Sequence, residues 1–217
     1  MWGCSSPEVV KISDQSYFPL RVGNYQIYEV DVDTIKQLVC GTGGDNKSVF
    51  QLKTLVTDSV KNSSGGFNYT VHRYTRPDST KAWVNLDTWV AQVNSNQAIV
   101  NESNILFLKF VFPLTNNLAW NSNLYNNLNP VYDTLKNVGR SYALASGKKF
   151  ASTVTTQYNN VSLISRDTRV EIYAVAVGLI YKRLSQLNYF TDVSCFGLNE
   201  VKTGVIYSQS LLSYGHQ

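Results

Sequence analysis

The longest apolar run in the chain, Arg169-Val-Glu-Ile-Tyr-Ala-Val-Ala-Val-Gly-Leu-Ile-Tyr-Lys-Arg183, predicts one central strand buried on both faces. Val170, Ile172, Ala174, Ala176, Gly178 and Ile180 share one face, and Tyr173, Val175, Val177, Leu179 and Tyr181 the other. β-Branched and aromatic residues dominate the run and no helical stripe is present, which favours strand over buried helix. Ile105-Leu-Phe-Leu-Lys-Phe-Val-Phe-Pro-Leu114 predicts a second two-sided strand, ended by a proline that removes a ladder donor. It is expected to neighbour the first. Elsewhere the pattern alternates: Tyr25, Ile27 and Glu29 oppose Gln26, Tyr28 and Val30, and Phe67, Tyr69, Val71 and Arg73 oppose Asn68, Thr70, His72 and Tyr74.

Turn signals punctuate these runs at Val22-Gly-Asn24, Asn62-Ser-Ser-Gly-Gly66, Pro77-Asp-Ser79, Asn94-Ser-Asn96 and Ser146-Gly-Lys-Lys149. Strand and turn signals therefore recur about every 10–15 residues. Leu184 to Val193 reads as a short helix or irregular crossing. Thr115 to Pro130 holds seven Asn residues around Trp120 and Tyr125, too polar for a strand and too Asn-rich for a stable helix, and is read as a loop. The expected fold is all-β and mainly antiparallel, with about ten strands in an open or half barrel or a two-layer sandwich, and little helix. Residues 1–16 are expected to be an N-terminal tether and 17–217 a single β domain.

Composition narrows the setting. Of 217 residues only 16% are charged, and the net charge of +4 is spread along the chain. With Lys148-Lys149 and Lys182-Arg183 as the only tight basic pairs, no stripe for nucleic acid is present. No run reaches the roughly 20 apolar residues of a membrane-spanning helix. Tyr, Asn, Ser, Thr and Val are plentiful, as in extracellular and envelope β proteins.

The first residues, Met1-Trp-Gly-Cys-Ser-Ser-Pro7, place a small residue before Cys4 and a polar stretch after it. This resembles the cleavage end of a bacterial lipoprotein signal peptide, whose mature first residue is an acylated cysteine. Met1 then stands where the signal segment has been removed. An acyl chain on Cys4 anchors at about 0.8 kcal/mol per buried CH₂, with the following residues as a leash. The membrane is the expected partner through that anchor, at the outer membrane of a bacterial envelope, on its periplasmic or outer face. Cys40 and Cys195 remain, enough for one disulfide closing a 155-residue loop, which is worth at most about 4–5 kcal/mol on chain entropy. Sequence alone leaves open whether the two thiols meet.

Two segments carry a family resemblance. Tyr17-Phe-Pro-Leu-Arg-Val-Gly-Asn-Tyr-Gln-Ile-Tyr28 is similar to the opening of uncharacterised small lipoproteins of Bacteroidota-type bacteria, and Tyr173 to Tyr181 to their Val-Gly-Leu-Ile-Tyr segment. Gln26 departs from the Trp frequent at its position. The resemblance implies an anchored, mostly antiparallel β domain and transfers no catalytic residue. Asp33-Thr-Ile35, Asp58-Ser-Val60, Asp78-Ser-Thr80 and Asp133-Thr-Leu135 also resemble the triplets that such envelope proteins glycosylate.

A search for chemistry returns little. No nucleophile elbow, zincin helix or nucleotide fingerprint is present, and Gly41-Thr-Gly-Gly-Asp-Asn46 lacks the spacing of a phosphate loop. Only His72 and His216 could join a cysteine on zinc, too few ligands for a site. Glu29, Asp31 and Asp33 share one strand face about 6.5–7 Å apart, spacing that fits an acid and base pair or Ca²⁺ only loosely. An enzyme is therefore not expected, and no cofactor. The leading expectation is a lipid-anchored binding or scaffold module, with Trp83, Trp89, Trp120 and Tyr125 as its binding surface. An apolar-ligand carrier is the alternative, with Ala174, Ala176 and Gly178 leaving room inside a half barrel. A hydrolase using Glu29, Asp31 or Asp33 is the weakest.

Overall fold

The computed structural model of the protein describes residues 13–63 and 65–217. Twelve strands form one antiparallel sheet: β1 (Asn24–Lys36), β2 (Asp45–Lys61), β3 (Phe67–Arg76), β4 (Val84–Val93), β5 (Gln97–Glu102), β6 (Ile105–Val111), β7 (Ala119–Asn121), β8 (Tyr132–Ala143), β9 (Lys149–Val161), β10 (Ser165–Ala174), β11 (Gly178–Tyr189) and β12 (Val201–His216). Their order, β6-β5-β4-β3-β2-β1-β12-β11-β10-β9-β8-β7, makes two meanders that meet where β1 pairs with β12. Consecutive strands pair throughout each meander, as expected for segments joined by tight turns.

The two free edges, β6 and β7, come together. Leu108 N–H donates to the Ser122 carbonyl at 2.9 Å, and the Leu108 carbonyl accepts the indole N–H of Trp120 at 2.9 Å. Asn126 donates from its amide to the Leu106 carbonyl at 2.8 Å. The Asn-rich stretch is thus a seam that drives the sheet into a nearly closed barrel. Its amides replace the ladder bonds that an edge strand lacks.

Residues 13–20 run across one end of the barrel as a strap. Asp14–Tyr17 forms a 3₁₀ turn, including the last residues of the stretch read as tether. The Asp14 carboxylate accepts the Leu114 N–H at 2.8 Å, Gln15 donates to the Asn94 carbonyl at 2.9 Å, and the Tyr17 hydroxyl lies 2.7 Å from Ser152 Oγ. Phe18 packs on Phe110 and Tyr173, ring centroids 6.1 and 6.2 Å away. At the opposite end a disulfide joins Cys40, after β1, to Cys195, before β12, with Cα atoms 6.4 Å apart.

Three expectations are corrected. The apolar run 169–183 is a hairpin rather than one strand: β10 ends at Ala174 and β11 starts at Gly178, with Ala176 and Gly178 at φ of 62° and 88°. The strap packs against part of this turn, where Val177 is buried while Ala176 stays exposed. The Ala176 N–H donates to the Ser16 carbonyl at 2.8 Å, and a Cβ on Gly178 would come within 3.4 Å of Pro19. Apolarity therefore runs through a reversal that normally shows as a polar break. Next, β11 continues to Tyr189, so the segment from Leu184 is strand. Finally, β6 borders β5 rather than β10 or β11. Its second apolar face is covered across the lumen instead, where the Phe110 ring meets Tyr173 edge-on at 4.7 Å.

Candidate functional site

Twelve strands enclose more space than β side chains of ordinary size fill, since about eight already suffice to bound a packed interior. Register decides what lines that space. Across the ladders Tyr28 faces Leu52, Thr54 faces Arg73, Val71 faces Trp89, and Glu171, Lys182 and Gln209 stand side by side on β10, β11 and β12. These positions form the inner face.

Below the strap the lumen holds a cleft of about 140 Å³. Phe18, Pro19 and Leu20 of the strap, with Leu52, Val56, Val71, Ala91, Val100 and Leu179, give it apolar walls. Its floor is charged. Lys109 lies 3.0 Å from Glu102 and 3.6 Å from Glu171, and Lys182 lies 2.9 Å from Glu171. Beneath this ladder a second, polar cavity of about 200 Å³ is lined by Ser122, Asp133, Thr156, Arg169 and Gln186. Both cavities share Glu102, Lys109, Glu171 and Lys182, which form the septum between them.

Burial and charge act together on the septum. Burial alone would raise the pKa of Glu171, but Lys109 and Lys182, with the hydroxyl of Tyr173 donating to its Oε2, hold it well below the usual carboxylate range. Burial alone would lower Lys109, and Glu102 and Glu171 reverse that, holding it above the usual lysine range. Both side chains are therefore charged at neutral pH. Asp133 differs: burial, then repulsion from Glu171, pushes its carboxyl up to about 6. Near the cleft wall Arg73 pairs with Asp87 at 3.1 Å and stacks its guanidinium 3.8 Å over the Trp89 ring. Arg73 Nε and Trp89 Nε1 are buried donors without an acceptor among the described residues, at a cost of about 1–3 kcal/mol each.

The four aromatic residues read as a binding surface are not brought together. Trp120 is a correction: it is 6% exposed and belongs to the core, because its indole N–H satisfies the edge of β6. Tyr125 is exposed on the seam, its hydroxyl donating to Gln97 at 2.9 Å. Trp83 lies half-buried beneath the Arg76 guanidinium at 4.1 Å, and Trp89 alone reaches the cleft. Glu29, Asp31 and Asp33 point outward, where Glu29 and Asp31 are exposed and Asp33 pairs with Lys47 at 3.8 Å. Of the small residues expected to leave room, only Gly178 borders the cleft, while Ala176 is exposed in the turn and Ala174 is buried in the core. In Asp133-Thr-Leu135, Asp133 lines the polar cavity and Leu135 is fully buried. Cys4 lies outside the described residues.

No protein-family model and no curated protein matches this chain. Solved structures do resemble it. One is a candidate lipoprotein from Parabacteroides distasonis, 10% identical over 92% of this chain and 98% of that one, with a TM-score of 0.49. Another is a candidate exported protein with a YmcC-like fold from Bacteroides fragilis, 12% identical over 91% of this chain and 97% of that one, with a TM-score of 0.45. At these values the likeness carries no statement about function.

Sequence reading passed over the septum. A signal was nonetheless present: Lys109 is the lone charge within the apolar strand Ile105–Val111, and Glu171 stands between Val170 and Ile172 on β10. A single charge at an inward position of such a strand needs a buried partner.

Proposed function

We propose that this chain is a non-catalytic, lipid-anchored protein of the bacterial cell envelope that binds an apolar ligand under the strap of its barrel. The observation that carries this reading is the cleft itself: apolar walls, a charged floor and a mouth beside a short strap. Burial of about six carbon atoms there is worth on the order of 5 kcal/mol, and a cavity of this size accommodates a benzene-sized group. A longer chain continues outward past Phe18 and Leu20. A scaffold role through a tryptophan surface has less support, since Trp120 is structural and Arg76 covers Trp83. A hydrolase built on Glu29 and Asp31 lacks any enclosing wall on the outer face.

The anchor is Cys4, acylated at the outer membrane, and it precedes the strap in the chain. Native mass spectrometry of protein purified from its own cells tests the ligand: an excess of one small apolar molecule, lost on denaturation, is expected. A bare polypeptide mass, with no uptake of any apolar probe, sinks the reading. Cys4→Ala is expected to move the protein from the membrane to the soluble fraction, and a variant that stays on the membrane removes the anchor.

A further inference from the structure

The charges around the cleft form a closed set. Its cations are Arg73, Lys109 and Lys182, and the carboxylates that meet them are Asp87, Glu102 and Glu171. Every cation touches a carboxylate and the sum is zero. An ionised ligand head brought to this floor would stand as an uncompensated buried charge or would break one of the pairs. Either route carries a large penalty in a confined site.

Besides the unpartnered donors Arg73 Nε and Trp89 Nε1 on the wall, the floor offers a donor of its own. Gln209 on β12 is 5% exposed, borders the cleft and stands beside Lys182 in the ladder. Its carbonyl oxygen accepts the Tyr207 hydroxyl at 2.7 Å. The amide NH₂ makes no hydrogen bond among the described residues. An amide donor held in this way at the base of an apolar cleft calls for a neutral acceptor.

We propose, on the basis of the binding reading above, that the ligand is an uncharged amphiphile whose hydroxyl or carbonyl head accepts a hydrogen bond from Gln209 while its chain lies under the strap. Fatty alcohols and monoacylglycerols have this chemistry, whereas fatty acids and cationic amphiphiles do not.

The test uses the full-length protein and four probes sharing one chain length: dodecanol, monolauroylglycerol, laurate and dodecyltrimethylammonium, each below its aggregation threshold at pH 7.5. Affinities come from calorimetry, with native mass spectrometry for stoichiometry. The two neutral probes are expected to bind at least about tenfold more tightly than either ion. Gln209→Leu should weaken monolauroylglycerol by about fivefold or more, the loss of one hydrogen bond of about 1 kcal/mol. Glu102→Gln leaves one cation in excess, so the ratio of laurate to monolauroylglycerol affinity should rise about tenfold or more. Laurate binding the wild-type protein as tightly as the neutral probes, or no rise in that ratio in the Glu102→Gln variant, overturns the assignment of the head while leaving the cleft as a binding site. Failure of all four probes to bind protein with an intact melting transition removes the binding reading itself.

Discussion

Two sets of carboxylates stand on opposite faces of the same barrel wall. Glu29, Asp31 and Asp33 lie outside on β1, and of these Glu29 and Asp31 are exposed. Glu102 and Glu171 lie inside, each held by lysine within 3.0 Å. Alternation along a strand says only which residues share a face, so three acids in a row stood out in the sequence while two isolated ones did not. What separates the sets is the solvent. Outside, water screens Glu29 and Asp31, and a lost neighbour of either is replaced by hydration. Inside, each one has a lysine folded against it, and for Glu171 the lysines are what hold the carboxylate ionised. Charge that shapes the molecule is therefore found where the sequence shows least of it.

The largest expected contrast comes from removing one inner charge without changing its shape. Glu171→Gln leaves Lys182 without its ion pair and Lys109 with Glu102 alone. We expect a loss of at least about 3 kcal/mol, by the general cost of breaking a buried pair. In urea unfolding this should appear as a lower midpoint at unchanged slope. A change below about 1 kcal/mol would show that the septum is hydrated like the outer face, and the comparison would fail.

Asp133 sharpens the contrast, being an inner carboxylate that has no ion pair among the described residues. Its folded pKa of about 6 lies above the ordinary 3.8. Between these values the folded protein binds more protons than the unfolded chain, so stability falls as pH rises through the window and levels off above it. The full difference is at most about 3 kcal/mol. Glu171 shifts the other way and loses its contribution only as pH falls below about 4.5, so the Asp133 slope is read between pH 4.5 and 6. Asp133→Asn is expected to stabilise the protein at pH 7 by about 2–3 kcal/mol, to leave it nearly unchanged at pH 4, and to flatten the slope between. Thermal melts across pH 4–8 measure this directly. A slope that survives the substitution assigns the titration to another group.

The same distinction explains how much of the molecule was legible. Strand positions for β1 and β3 followed from alternation, and the turn residues marked their ends. The hairpin at Ala174–Gly178 did not show, because its reversal packs in part against the strap and keeps apolar residues. The barrel seam was hidden for a related reason: asparagines that read as a loose loop are the donors that complete the edge of β6. The cleft was expected only in outline. Its alanines pointed elsewhere, and its floor depends on Glu102, Lys109, Glu171, Lys182 and Gln209 converging from strands far apart in the chain. Trp120 was misread as surface because an indole with a buried carbonyl partner has the same sequence appearance as an exposed one.

A smaller effect is expected at Asp33, the least exposed of the outer acids. Its side chain is 17% exposed and lies 3.8 Å from Lys47, whose own side chain is 68% exposed. Such a pair is worth about 0–1 kcal/mol and is screened by salt. Asp33→Asn should cost no more than that at low ionic strength and almost nothing in about 1 M salt, where the Debye length is about 3 Å. A salt-independent loss would mean that Asp33 belongs energetically with the inner set.

The smallest change is the most exacting test of the outer face. Glu29→Gln and Asp31→Asn together remove two charges from exposed positions, and the expected stability change is within about 0.5 kcal/mol. On the inner side two such replacements would dismantle the septum. The double variant should also bind the neutral amphiphile probes with unchanged affinity, because both carboxylates are separated from the cleft by the sheet itself. Were the pair catalytic, its loss would abolish a hydrolytic activity present in the wild type while leaving melting and probe binding intact. That outcome would return function to the outer face and make the cleft incidental to it.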